Sequence, residues 1–164
     1  MKILVAGTPG VGKTTLSKQI AQRVNIAHVD VTRFVKDNKL YESFDEKLDT
    51  LVFDEDTVAE HLNNHLKLQN CFIVDTHSPV VVEDIAFDYI FHVVCDIGEI
   101  GKRLELRGYS EYKIQKNIEC EIFNMIGEEL EETFGGKIYK INGSEVPNDD
   151  AKYAFDDVFK ILNC

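Results

Sequence analysis

Residues 3–16 read ILVAGTPGVGKTTL, and no other stretch restricts what this chain can fold into as tightly. Four apolar residues suited to a buried strand run straight into glycines, a proline and a lysine, which have no place in a packed core. Gly7, Gly12, Lys13 and Thr14 fit the spacing G-x-x-x-x-G-K-[ST], set between a strand and a helix as that motif requires. Each residue type has a physical reason. Glycine lets backbone N–H groups turn inward and form an anion nest without Cβ clashes. The helix beginning near Lys13 aims its unsatisfied N–H groups and positive dipole end at the same point. Lys13 then reaches the β- and γ-phosphates of a nucleotide, and the Thr14 hydroxyl is the expected ligand of Mg²⁺.

Around this loop, strand-like and helical segments alternate. KILVAG, AHVDV, CFIVD, YIFHVVCD and KIYKING read as strands, several of them continuous apolar runs of the kind buried on both faces. Lys13 to Val24 reads as a helix, and a short helical stretch runs to Leu40. EDTVAEHLNNHLKL carries Val58, Ala59, Leu62 and Leu66 on one helical face. Ile114, Ile118, Ile122, Ile126 and Leu130 recur every fourth residue and predict one long amphipathic helix. DDAKYAFDDVFKIL predicts a last helix with an acidic first turn. The expectation is a single α/β domain over residues 1–164, a parallel sheet of about five strands with helices on both faces.

Composition narrows the possibilities. The chain has 164 residues and is 44% hydrophobic, enough for one real core. No apolar run approaches membrane-span length. Met1-Lys2 leads directly into a strand, so no signal peptide is expected and the protein is placed on the cytosolic or nuclear side. Cys71, Cys95, Cys120 and Cys164 show no metal-ligand spacing; Cys71 and Cys95 fall in predicted strands, where a thiol acts as a small buried hydrophobe. The net charge of −11 repels nucleic-acid backbones and suits either a solvated surface or a basic partner.

A phosphate loop needs a carboxylate at a neighbouring strand end to order the magnesium. CFIVD ends in Asp75 and YIFHVVCD in Asp96. Asp75 is the better candidate, since DTHSP opens a loop there carrying His77. Asp96 begins the helix DIGEIGKRL and is explained as its N-cap. The D-x-x-G and N-K-x-D strings of a regulatory GTPase are absent.

The sequence resembles the adenylate kinase isoenzyme 6 family, the coilin-interacting nuclear ATPases and small-subunit ribosome assembly factors. GTPGVGKTTL, LYESFDE followed by DED, the D-x-H of Asp75 and His77, and RGYSEYKIQKNIECEIF carry the likeness through nearly all of the first 125 residues. The resemblance implies a P-loop fold of nucleoside-monophosphate-kinase type, with the ATP loop on the central strand. It implies phosphoryl transfer from ATP to AMP or a related monophosphate, Mg-dependent ATPase activity, a role in small ribosomal subunit maturation, a basic small-subunit ribosomal protein as partner, and residence in nucleus and cytoplasm. Gly10, Gly12, Lys13, Thr14 and Thr15 look like ATP-phosphate ligands. Asp75 resembles the residue that organises Mg²⁺ through water, and His77 the one that positions the attacking group or couples the site to the partner. Residues 30–53 look like the monophosphate-binding segment and 106–116 like a short lid, with Arg107 over the triphosphate. The family's arginine in the monophosphate segment is Lys36 here, with Arg33 one helical turn upstream.

Arginine is scarce. Arg23, Arg33, Arg103 and Arg107 are all there are, and Arg23 lies roughly 13 Å along the first helix from Thr14. At most three arginines, with Lys13 and Lys36, are left to serve the phosphates, which suggests slow or selective transfer beside hydrolysis. Lysine also lacks the planar fork that orients a phosphate. His61 and His65 stand at i, i+4 without the glutamate of a metalloprotease motif and read as a solvated face. The turn Asn142 to Pro147 is either an adenine seat or an ordinary Asn-Gly turn. The alternatives to a nucleotide kinase are a nucleotide-switched assembly factor and a P-loop kinase of a non-nucleotide metabolite.

Overall fold

The structure is a computed structural model of the chain, describing residues 1–144 and 156–162. Five parallel strands form the sheet: β1 (Lys2–Ala6), β2 (Ala27–Asp30), β5 (Phe72–Thr76), β6 (Tyr89–Val94) and β7 (Ile138–Asn142), in the order β2-β5-β1-β6-β7. The central strand is β1. Its side chains alternate between two cores, as the pleat dictates. Ile3 and Val5 enter one, with α1 (Lys13–Val24), α4 (Ile97–Leu106) and α7 (Asp156–Leu162). Leu4 and Ala6 enter the other, with α2 (Val31–Asp37), α3 (Glu55–Leu66) and α6 (Met125–Phe134). Apolar side chains on both faces explain why these strands read as unbroken apolar runs.

The order of the strands decides where a ligand can sit. From β1 the chain builds β2 and β5 to one side and β6 and β7 to the other, so the crevice beyond the carboxyl end of β1 lies at the point where the direction of winding reverses. The glycine-rich loop follows β1 there. Asp96 caps α4 as expected, accepting from Gly98 N–H at 2.9 Å and Glu99 N–H at 3.3 Å.

Two readings of the sequence need correction, and one hairpin was not anticipated. The expected long helix is two, α5 (Glu111–Ile122) and α6, separated by Asn124 with φ 51°. The reason is packing: Ile114 and Ile118 lie against the core that holds Ile3, whereas Ile126 and Leu130 are buried in the core that holds Leu4. One straight helix cannot face both, so the chain turns, leaving Ile122 57% exposed at the corner. Segment 43–52 forms a two-stranded antiparallel hairpin, β3 (Ser43–Asp45) and β4 (Thr50–Val52). Asp45 starts its turn by accepting from Lys47 N–H at 2.9 Å and Leu48 N–H at 2.8 Å. Cys71 precedes β5 and is exposed, unlike buried Cys95. No helix among the described residues is long and apolar enough to cross a membrane. Of the expected adenine seat, Asn142 to Ser144 are described and residues 145–147 lie outside the described residues.

Candidate active site

The loop after β1 reaches α1 through two left-handed glycines, Gly10 at φ 97° and Gly12 at φ 103°, conformations an L side chain resists. Gly12 is the N-cap of α1 and its carbonyl accepts from Leu16 N–H at 3.0 Å. The amides of the first turn, which includes Thr14 and Thr15, are therefore left to face outward toward a ligand. Arg103 of α4 holds the opposite side of the loop. It donates to Gly10 O at 3.2 Å, and to Gly143 O at 3.0 Å and Ser144 O at 3.3 Å in the turn after β7.

A cavity of about 610 Å³ opens beside Lys13 and Thr14. Asp75 and His77 from the end of β5 line it, as do Lys36 of α2, Arg107 at the end of α4, and Lys113, Lys116 and Asn117 of α5. The hairpin closes one wall with Phe44, Leu48, Asp49, Thr50 and Leu51. Five cationic side chains thus confront three carboxylates, Asp30, Asp49 and Asp75. A net positive hollow in a chain of net charge −11 selects anions.

Parallel pairing places Asp75 beside Val5 of β1, one strand from the loop, and beside Asp30 of β2. Asp75 is 2% exposed, and its Oδ2 has no hydrogen-bond partner among the described residues. Nε2 of His28 approaches that oxygen to 3.5 Å. Burial pulls the Lys13 ammonium below its usual range; the charges of Asp75 and Asp30 oppose the shift, and Arg107 adds to it. His77 sits on a loop fixed by Ser78, whose N–H donates to Thr76 Oγ1 at 3.0 Å and whose hydroxyl donates to Glu55 at 2.9 Å. Burial, reinforced by repulsion from Lys13 and Lys113, lowers the His77 pKa to about 4, so its imidazole is neutral at pH 7.

Of the residues singled out from the sequence, Lys13, Thr14, Lys36, Asp75, His77 and Arg107 meet at the cavity, framed by Gly10, Gly12 and Thr15. Arg33 does not. Its Nε pairs with Asp37 at 3.3 Å on the exposed face of α2, and it lines a separate hollow beside Lys18, His28 and His65. Arg103 is committed to backbone carbonyls and Arg23 lies over the Phe159 ring at 4.3 Å. The count of three serviceable arginines therefore falls to Arg107. His61 donates from Nδ1–H to Thr57 O at 2.8 Å, and the His65 ring packs on Phe34 at 5.3 Å, so both have structural partners. Sequence reading missed Lys113, Asn117 and Asp49. Asp45 ahead of a four-residue connection was a usable hairpin signal, but nothing local announces that α5 closes over that hairpin.

The residues present fit a magnesium ion. Among the described residues no cluster of three His, Cys, Asp or Glu side chains exists. A cation held chiefly by phosphates and water needs only one or two protein oxygens. The Thr14 hydroxyl and Asp75 Oδ2, which accepts no hydrogen bond from the described residues, supply them.

A family model described as an AAA domain matches residues 3–124. The chain is 36% identical over 137 residues to an adenylate kinase isoenzyme 6 homolog of Caenorhabditis elegans, covering 83% of this chain and 75% of the relative. It is 39% identical over 136 residues to the Schizosaccharomyces pombe homolog, covering 83% and 77%. A putative adenylate kinase of Methanocaldococcus jannaschii is 33% identical over 162 residues, covering 99% and 86%. Among solved structures, deoxyadenosine kinase from M. mycoides with bound dATP superposes with a TM-score of 0.63 at 18% identity, covering 100% of both chains. Shikimate kinase from Bacteroides thetaiotaomicron superposes with 0.60 at 15%, covering 100% of this chain and 99% of that one. At such identities these two likenesses show the P-loop kinase fold alone.

Proposed function

The chain belongs to the family of the adenylate kinase isoenzyme 6 homologs, and from that premise we propose that it moves the terminal phosphoryl group of ATP to AMP or a related nucleoside monophosphate, with hydrolysis to water as a second outcome. The observation that carries this reading is the net positive cavity in an acidic chain, gathering Lys13, Thr14, Asp75, His77 and Arg107 around one opening.

In this reading the loop amides and Lys13 hold the β- and γ-phosphates of ATP, and Arg107 closes over them from the end of α4. Phosphoryl transfer asks the protein mainly for placement and charge neutralisation. Lys13 is suited to that task because its ammonium is partly desolvated and so acts in a weakly screened field. When bound, magnesium neutralises charge on the phosphates; Thr14 and Asp75 would hold it. His77, neutral at pH 7, orients the attacking oxygen by hydrogen bonding rather than as a charged acid. Residues 30–53 cradle the acceptor, and 106–116 form a short lid over the reacting phosphates.

The test is a coupled assay for ADP formation from ATP with and without AMP, on wild type and Asp75→Asn. Magnesium-dependent transfer to a monophosphate, reduced at least 100-fold in the variant, is expected. Absence of magnesium-dependent ATP turnover under every condition overturns the reading. Turnover dependent on a non-nucleotide metabolite alone redirects it to that acceptor.

A second reading, a nucleotide-switched factor that holds a basic ribosomal protein, is favoured by the α5–α6 corner. Ile122, Phe123 and Met125 are 57%, 66% and 55% exposed there, ahead of the acidic run Glu128 to Glu132. Capture of a basic small-subunit ribosomal protein, altered by ATP and by His77→Ala, is its test.

A further inference from the structure

The acceptor side of the cavity has no arginine, since Arg33 is paired with Asp37 on another face. A phosphate arriving there must find its charge among Lys36, Lys113 and Lys116. Lys36 and Lys116 are solvated, and Lys116 is paired with Glu119 at 2.6 Å. Lys113 differs from both. Its side chain is 12% exposed and its ammonium lies 3.8 Å over the Tyr109 ring. It donates to Asp49 O at 2.5 Å and to Asp49 Oδ2 at 3.3 Å, joining α5 to the turn of the hairpin across 64 residues of chain. Asp49 adopts φ 47°, a left-handed conformation uncommon outside glycine, and its carboxylate is 58% exposed.

From this geometry we infer that Lys113 is the cation that takes the acceptor's phosphate, and that Asp49 holds its ammonium at the cavity wall until the phosphate displaces the carboxylate. The inference rests on the reading of the protein as a monophosphate kinase and names the residue that would bind the acceptor. An ammonium has three donors. Two meet Asp49, so a third remains for a phosphate oxygen before any exchange. A half-exposed carboxylate is a weak competitor, because water screens it and surface pairs of this kind have small net affinity. A phosphate carries up to two charges and several strong acceptor oxygens, so exchange is downhill. The Lys113 charge is also felt at His77, which puts it in electrostatic reach of the residue that faces the attacking group.

The deciding experiment measures AMP affinity by calorimetry, and KM for AMP and for ATP where turnover exists, in wild type, Lys113→Met, Lys113→Arg and Asp49→Asn. Lys113→Met should weaken AMP at least about tenfold while KM for ATP moves less than about threefold, and Lys113→Arg should restore part of the loss. Asp49→Asn should shift AMP the other way, tightening it about 1.5- to fivefold, the range an exposed ion pair can withhold. The opposite signs are decisive, because a mere strut between α5 and the hairpin would lose affinity in both variants. Unchanged AMP affinity in Lys113→Met, or weakening in Asp49→Asn, overturns the inference. Should Lys113→Met fail to fold, the sign of the Asp49→Asn effect decides alone. If wild type binds AMP without phosphorylating it, the kinase reading fails while the affinities still judge Lys113; if it binds no AMP, both fall.

Discussion

Replacing Gly10 with alanine is a small change that should damage both stability and catalysis, by amounts that can be worked out in advance. Gly10 sits at φ 97°, where an L side chain suffers backbone strain of about 1–2 kcal/mol. An added Cβ would also lie 3.2 Å from Leu104 Cδ2 and 3.3 Å from Ile100 Cγ2. Both neighbours are 0% exposed and belong to a close-packed core, so they yield little. Relieving the overlap within that core costs about another 1–2 kcal/mol. The total, about 2–4 kcal/mol, corresponds to a fall in Tm of about 5–15 °C for a domain of this size. The loop can escape part of this only by shifting about half an ångström away from α4. That shift loosens the Arg103 bond to Gly10 O and moves the amides that should hold phosphate. Because misplacement by 1 Å can cost about 100-fold in rate, kcat/KM for ATP should drop at least about tenfold. Gly136→Ala is the control: φ is 71° but no atom lies within 4 Å of the added Cβ, so strain acts alone. It should lower Tm by about 2–8 °C and leave kcat/KM unchanged. Differential scanning fluorimetry and the coupled assay read both. If Gly10→Ala melts within 1 °C or so of wild type and keeps kcat/KM within about twofold, the proposed tightness of the loop against α4 is wrong.

Lys13→Met should abolish measurable ATP affinity without lowering the Tm of the ligand-free protein, because burial already disfavours this ammonium; isothermal calorimetry and melting curves test the two halves separately. Arg33→Ala should leave KM for the monophosphate within about twofold, as expected for an exposed side chain paired with Asp37 outside the cavity; a tenfold rise would return Arg33 to the site. His92, 6% exposed on β6, has its pKa lowered by burial and by Lys140 to about 4 in the folded protein. Its unfolded value is near 6.5, so the unfolded chain binds more protons between these limits; the contribution is complete above pH 6.5 and is lost as pH falls toward 4. From pH 6.5 to 5 this amounts to about 1.5 kcal/mol, and urea unfolding of His92→Phe should show a correspondingly flatter pH dependence over that window.

Local chemistry was legible in the sequence wherever one element determines it. The strand–loop–helix at Gly7 to Thr14, the strand end at Asp75 and the cap at Asp96 each follow from neighbouring residues. What depends on the meeting of distant segments was not. The isoleucine stripe from Ile114 to Leu130 recurs every fourth residue, so on a helix of 3.6 residues per turn it drifts about 40° per step, a signal against one facing core that reading the stripe as a single face passed over. Arg33 looked like a phosphate ligand, yet the carboxylate that engages it, Asp37, stands four residues on and was visible. Lys113 and Asp49, 64 apart in sequence, become neighbours only once α5 lies over the hairpin.

The bracing of the glycine loop by Arg103 gives the far edge of the sheet a stake in catalysis. Every described side chain lining the cavity comes from the first 126 residues, so a chain cut short of β7 would retain all of these groups. It would lose the carbonyls of Gly143 and Ser144 against which Arg103 is anchored. The guanidinium would then grip the loop from one side only, and the cradle would slacken with none of the described cavity side chains removed. Allele effects that map to the tail could therefore look, in an assay, like lesions of the nucleotide site itself.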